Sequence, residues 1–276
     1  MLRKCQEALH KLTGVPQSSR PVKEACRKAE KTRDPAWLYH EFSTLDPELG
    51  EEETHYPLPQ GEHYKTIPQA PRVRLPPPRE TSGLDVLQAI RRRRSRREYS
   101  PRPLTLDEVS TLLHHAAGIT GRAWWGGPKR PYPSSGALQP AEVYAIARKV
   151  YGVEPGLYHY NPGEHSLEQL SLDVASLDQD LYEATLEQDH VVKAPLTLIV
   201  TAVVPRTARK YGWRTYRYIH WDVGFLGQNI YLTAEALGLA TVAVGAFQDK
   251  LICRLLAIDC HTEIPMLIFP LGPRTT

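Results

Sequence analysis

Apolar residues recur every three to four positions in one long stretch, DVGFLGQNIYLTAEALG. Leu226, Ile230, Ala234 and Leu237 share one face there, which predicts a helix ended by Gly238. Elsewhere the pattern shortens. AEVYAIARKV, from Ala141, alternates and is rich in β-branched residues, which predicts a strand. GLYHYNPGEHSLEQL predicts two strands around the turn Asn161-Pro162-Gly163. PLTLIVTAVV after Pro195 and TVAVGAF from Thr241 are apolar runs of strand length and predict buried strands, and EIPMLIFPLG predicts the last.

Helix starts are marked by capping residues. SGLDVLQAIRRRR opens with Ser82 and carries Asp85 three residues on, a capping-box spacing that Thr105 and Glu108 repeat before VSTLLHHAAG and its stop at Gly118. DLYEATLEQDHVV reads as helical, and DKLICRLLAI as a helix capped by Asp249. Strands separated by helices, with one hairpin, predict an α+β layered domain: a mixed, mainly antiparallel sheet flanked by helices.

The first 80 residues differ from the rest. RVRLPPPRE reads as an extended linker, and PAWLYHEFSTLD as a short helical piece docking through Trp37, Leu38 and Tyr39. The organisation expected is therefore an extension and Pro-rich linker over residues 1–80, wrapping the outside, and one domain over 81–276. Apolar content of 41% suffices for a real core. No apolar run reaches membrane-spanning length and the N-terminus lacks a signal-peptide core, so the expected location is the cytoplasm, with no membrane partner. Cys5, Cys26, Cys253 and Cys260 form no close pair and no zinc-like cluster. They read as free thiols, and no metal is expected.

Against a net charge of only +3, the stretch RRRRSRREYS from Arg91 stands out. Arginine forks match phosphate oxygens, and Ser95 adds a short hydroxyl donor. If the segment is extended, Arg93, Ser95 and Arg97 point one way. The stretch alone leaves three readings open: a solvated helix end set against the dipole, an anion site, or nucleic-acid contact.

Three later stretches narrow this: PYPSSGALQPAEVY from Pro131, LGLATVAVGAFQD from Leu237, and FPLGPR ending at Arg274. With RRSRREY, in this order, they resemble the FMN-dependent nitroreductase family. KYGWRTYR and GFLGQNIYL further resemble its SagB-type branch of thiazoline and oxazoline dehydrogenases. That resemblance, over about residues 33–274, implies an intertwined homodimer with FMN at the subunit interface. It implies that Arg93, Ser95 and Arg97 bind the flavin phosphate and ring edge. Pro133, Ser134 and Ser135 lie against the ring with Gln139 at the loop's end, Gly245 and Ala246 pass close to it, and Arg274 reaches the phosphate. Taken singly, PSSGA and the Gly-Ala turn are equally compatible with ordinary turns and packing. The sequence departs from the branch at Gln139 (commonly tyrosine), Ser135 (often alanine) and Phe225 (often histidine).

KYGWRTYRYIHWD reads by itself as an exposed loop whose aromatics pack on the core. In azoline oxidases an adjacent lysine–tyrosine pair is implicated in catalysis, and Lys210-Tyr211 matches it. Azoline oxidation removes a proton and a hydride from adjacent ring carbons, and the proton needs a base within hydrogen-bond reach. Three functions fit these residues: an FMN oxidase acting on azolines of a modified peptide or related small molecule, with dioxygen as acceptor; an NAD(P)H-dependent nitro- or quinone-reductase; and a non-catalytic docking protein using the basic stretch. Nucleic acid is not the expected partner.

Overall fold

The computed structural model describes residues 63–275 except Trp125, together with Lys23 and Tyr39. The expected docking through Trp37 and Leu38 lies outside the described residues. The chain enters as the edge strand β1 (Arg72–Arg74), and Leu75 behind it is buried. Helix α1 (Val86–Arg92) starts at Asp85, whose carboxylate accepts from Gln88 N–H, so Asp85 is itself the cap, while the Ser82 hydroxyl bonds Leu84 within its own turn. Helix α2 (Leu106–Ala117) carries the Thr105/Glu108 capping box and ends at Gly118 as expected.

A two-stranded hairpin (β2, Gly121–Arg122; β3, Pro128–Lys129) precedes the main sheet strands β4 (Ala141–Ala147), β5 (Gly156–Asn161) and β6 (Ser166–Ser171). Helices α3 (Val174–Ala184) and α4 (Asp189–Val192) follow. The single helix expected there breaks at Leu186 and Glu187, both at positive φ. Strand β7 (Leu196–Val203) leads into α5 (Val204–Tyr211), one 3₁₀ turn, and the long α6 (Thr215–Ala236). The KYGWRTYR stretch is thus helical rather than a loop. Strand β8 (Leu239–Thr241), α7 (Asp249–Leu256) and β9 (Glu263–Pro273) complete the chain. Only part of TVAVGAF is strand: after Thr241 a lone bridge, Val244 to Ile268, remains. Gln248, not Asp249, is the N-cap of α7.

The seven strands run in the order β1-β6-β5-β4-β7-β9-β8, every neighbouring pair antiparallel. Period-two alternation divides the strands between two cores. Val143, Ala145, Leu198 and Val200 face α2 and α6, through Leu112, Leu113, Leu226 and Ile230. Tyr144, Ile146 and Ile199 face the other way, toward Leu181 of α3, Val191 of α4 and Ile252 of α7.

The expectation of free thiols is overturned for one pair: Cys253 and Cys260 form a disulfide. The cause is local. Ala257, after α7, adopts the left-handed conformation (φ 52°, ψ 42°), which turns the chain back and brings the two Cα atoms to 5.7 Å. No helix among the described residues is long and apolar enough to cross a membrane.

Toward the β5–β6 end of the second face, apolar residues give way to buried charge. His159 is fully buried, with Nε2 3.0 Å from Glu142 and Nδ1 2.9 Å from Glu168. Glu142 also accepts from the Arg206 guanidinium at 2.6 Å and from Lys65 N–H at 2.6 Å. Burial alone would push the Glu142 carboxyl up, but Arg206, His159 and Arg130 together hold it at about 2. Glu168 is likewise held low: its burial is outweighed by hydrogen bonds from His159 and Asn161. For His159 burial acts downward, and the bonds to both glutamates outweigh it and raise its pKa.

The signs give a pH profile. A lowered carboxyl stabilises the fold above its unfolded value of 4.5, and that stabilisation is lost as pH falls toward about 2. His159, raised from 6.5, contributes below that pH and loses its contribution as pH rises through its folded value. Thermal melting is therefore expected to weaken steadily from pH 5 downward, and Glu142→Gln flattens that slope. An unchanged slope in the variant would contradict this assignment.

Candidate active site

The loop Pro133-Ser134-Ser135-Gly136 crosses the N-terminal half of α6. Asp222, fully buried, lies on the same four-residue stripe as Leu226, Ile230 and Ala234. Its carboxylate accepts from Ser134 Oγ at 2.7 Å, Ser135 N–H at 3.0 Å and Ser135 Oγ at 3.1 Å. Burial raises the Asp222 pKa, and the serine bonds only partly offset it. Asn229 Nδ2, two turns on, donates to the Pro131 carbonyl at 3.0 Å. The loop's far end is fixed too: Gln139 N–H donates to Ser134 Oγ at 2.8 Å, and Gln139 Nε2 to the Pro128 carbonyl at 2.6 Å.

Lys210 and Tyr211 meet this loop. Gly136 has φ +61°, and a Cβ placed there would lie 2.6 Å from Tyr211 Oη and 3.1 Å from Lys210 Nζ. Glycine is what lets both side chains rest on the loop. Tyr211 packs on Tyr218 (centroids 4.5 Å), which in turn meets Trp221 at 5.3 Å. Beside the Pro128 carbonyl a cavity of about 710 Å³ opens, lined by His63, Tyr64, His114, Arg122 and His165 among others, with no acidic residue among its described lining.

The arginine stretch lies at the other end of α6. The chain leaves α1 extended at Arg93 (φ −47°, ψ 128°). Its charges divide. Glu235, buried on α6, takes Arg96 at 2.8 Å, Arg274 at 3.0 Å and Arg92 at 3.5 Å. Arg94 bonds the carbonyls of Arg91 and Arg93. Arg93 and Arg97 pair with no carboxylate among the described residues, while Arg93 lies 5.0 Å over the Tyr231 ring. Ser95 Oγ is 2.9 Å from Tyr231 Oη, which accepts from Ala243 N–H at 2.7 Å. That hydroxyl joins the arginine arm to the segment leading into Gly245 and Ala246. Both are exposed, and the nearest atom to a Cβ on Gly245 would be Leu267 Cδ2 at 3.9 Å.

Two half-sites result. One gathers Pro133, Ser134, Ser135, Gln139, Lys210 and Tyr211. The other gathers Arg93, Ser95, Gly245, Ala246 and, one bond further, Arg274. From Asp222 to Glu235 along α6 is about 20 Å at 1.5 Å per residue, so one chain does not bring all the candidate residues to one point. Asp222, Tyr231 and Glu235 were not among the candidates. The signal for Asp222 was present: a carboxylate on a buried stripe requires partners. The donor set fits FMN: the Arg93 guanidinium, free of carboxylates among the described residues, and the Ser95 hydroxyl beside the same Tyr231 suit a phosphate, and an exposed Gly-Ala backbone and a pinned Ser-Ser-Gly turn suit the edge and face of a flat ring.

Fold and site together define a flavin-dependent oxidoreductase. The nitroreductase family matches residues 90–273. A nitroreductase-family protein of Methanocaldococcus jannaschii is 42% identical over 72% of this chain and 95% of its own length. The trifolitoxin-processing protein TfxB of Rhizobium leguminosarum is 29% identical over 61% of this chain and 47% of its own. The microcin B17-processing protein McbC of Escherichia coli is 27% identical over 52% and 54%. Among solved structures, a nitroreductase-type protein from Anabaena variabilis superimposes with a TM-score of 0.65 at 30% identity, covering 86% of this chain and 45% of that one. The chain belongs to the nitroreductase family, and its cofactor is FMN.

Proposed function

We propose that this protein is an FMN-dependent dehydrogenase that oxidises thiazoline or oxazoline rings, in a peptide or related molecule, to the aromatic azoles. The observation that carries this reading is the packing of Lys210 and Tyr211 directly on Gly136 of the Ser134–Gln139 loop. Two relatives named for processing trifolitoxin and microcin B17 support it. Bound FMN supplies the two-electron acceptor for the ring's hydride. Lys210 Nζ takes the proton from the adjacent ring carbon, and Tyr211 orients the ring or passes that proton on. Asp222 holds the loop against which the cofactor's ring lies. Arg93, Ser95 and Arg97 hold the phosphate, with Gly245 and Ala246 along the ring edge. Arg274, tied to Glu235, sets the wall behind them.

The active unit is a homodimer, in which the loop half-site of one copy completes the arginine half-site of the other. Trp221 and Phe225 on α6 and Val86, Leu87 and Ile90 on α1 are exposed apolar side chains suited to that contact. The domain spans residues 81–276, with 1–80 as an extension whose described part is no free linker: Arg72–Arg74 adds the edge strand to the domain's sheet and Leu75 enters its core.

A second reading is an NAD(P)H-dependent nitro- or quinone-reductase, favoured by the similarity to the M. jannaschii protein and by Gln139-Pro140, the general family pattern. Docking by the basic stretch is disfavoured, because Arg92, Arg94 and Arg96 are already engaged within the chain. The deciding measurement is anaerobic. A synthetic thiazoline peptide is expected to bleach the flavin absorption and yield a product lighter by two hydrogens. Rapid bleaching by NAD(P)H with no reaction of the thiazoline would favour the reductase instead.

A further inference from the structure

Arg206 is a buried cation that none of the roles above uses. It sits in the first turns of α5, four residues before Lys210, so the two side chains share one helix face. They reach opposite ends of the same loop. Lys210 rests on Gly136, and Arg206 Nη1 donates to the Gln139 carbonyl at 3.3 Å. Gln139 is held at φ +50°, an unusual conformation for a residue with a side chain, which persists only where neighbours fix it. Arg130 Nε, 3.2 Å from Gln139 Oε1, fixes the side chain, and Arg206 fixes the peptide.

Behind Arg206 the charges continue inward. Its Nη2 meets Glu142 at 2.6 Å, Glu142 meets His159, and His159 meets Glu168, which also accepts from Asn161 Nδ2 at 2.8 Å. Toward the site the chain of bonds runs from Gln139 N–H to Ser134 Oγ and on to Asp222. A continuous polar path therefore links three strands of the sheet to the flavin loop, and Arg206 is the joint. A buried ion chain adds little net stability compared with apolar packing, so stability alone does not account for it.

We propose that Arg206 is a positioning residue for the flavin site: it locks the Gln139 end of the ring loop to the helix that presents Lys210 and Tyr211, and Glu142, His159 and Glu168 hold it in place. This rests on the assignment of residues 133–139 as the flavin loop and of Lys210 as the base. Arg206→Lys keeps the charge but cannot reach Glu142 and the Gln139 carbonyl together.

The test uses the full-length FMN-loaded protein. For Arg206→Lys we expect FMN still bound, a changed visible circular dichroism of the bound flavin, and kcat for a synthetic thiazoline peptide lowered by roughly 10- to 100-fold with KM within about twofold. A purely structural role would lower the melting temperature and leave both the dichroism and kcat of the folded enzyme unchanged. That result overturns the proposal. If Arg206→Lys does not fold, the neutral pair Glu142→Gln with Arg206→Gln carries the same comparison. The flavin dichroism needs no substrate: if the wild type ignores thiazolines, the azoline reading falls, and the dichroism of the variant still decides the role of Arg206.

Discussion

Lys210→Ala is expected to lower azoline oxidation by about 10²–10⁴-fold, the usual worth of a positioned proton acceptor, while leaving FMN bound. Two features separate its effects. Lys210 Nζ makes no ion pair with a carboxylate among the described residues and lies 5.2 Å from the Tyr211 ring centre, so removing it strands no buried acid. Lys210 also lies outside the Arg93–Ser95–Arg97 group assigned to the phosphate, so cofactor affinity is expected to hold. Stopped-flow bleaching under anaerobic conditions reads the chemical step directly. Tyr211→Phe keeps the stack on Tyr218 and removes only the hydroxyl, so a small effect assigns Tyr211 to orientation and a large one to proton transfer. Full activity in Lys210→Ala with FMN bound would remove Lys210 from the mechanism.

Much of this fold was legible in the sequence because local signals and tertiary packing agreed. The Thr105/Glu108 box, the hairpin at Asn161-Pro162-Gly163 and the four-residue stripe of α6 are set by residues close in sequence. Failures occurred where distant contacts decide. TVAVGAF is apolar enough for a strand, yet only Leu239–Thr241 find a full ladder on β9. The Cys253–Cys260 bond depends on one left-handed residue, Ala257, which nothing in its side chain announces.

The site was legible as a set of motifs rather than as a geometry. The family resemblance supplied Arg93, Ser95 and the Pro133–Ser135 loop, and charge alone could not sort the six arginines. What sorts them is Glu235, one buried carboxylate on α6 that gathers Arg92, Arg96 and Arg274. The residues that hold the site's parts in register, Asp222, Arg206 and Tyr231, are scattered over the sequence and meet only through the fold. A buried charge is readable in a sequence, but its partner is not.

Asp222→Ala is expected to cost both stability and cofactor. It removes the acceptor shared by Ser134 Oγ, Ser135 N–H and Ser135 Oγ; both serines are half-buried, so each donor left without a partner costs near the low end of about 1–3 kcal/mol. The wild-type carboxylate itself bears a desolvation penalty, shown by its raised pKa, so its removal recovers part of that loss. A net loss near 3 kcal/mol corresponds to a fall of about 6–12 °C in melting temperature for a domain of this size. The loop is pinned at Asp222 from one side and at Gln139 from the other, so freeing one end loosens the surface on which the flavin ring rests. FMN affinity is therefore expected to fall at least tenfold, measured by fluorescence titration. Asp222→Asn makes the finer test. Its amide oxygen can still accept from Ser135, but its NH₂ group faces the Ser134 hydroxyl, which can rotate to accept at the cost of its former bond. An intermediate melting temperature with partial FMN affinity fits the pinning role. A wild-type affinity in Asp222→Ala would show that the loop holds its shape without α6, and the joint between loop and helix would have to be sought at Gln139 alone.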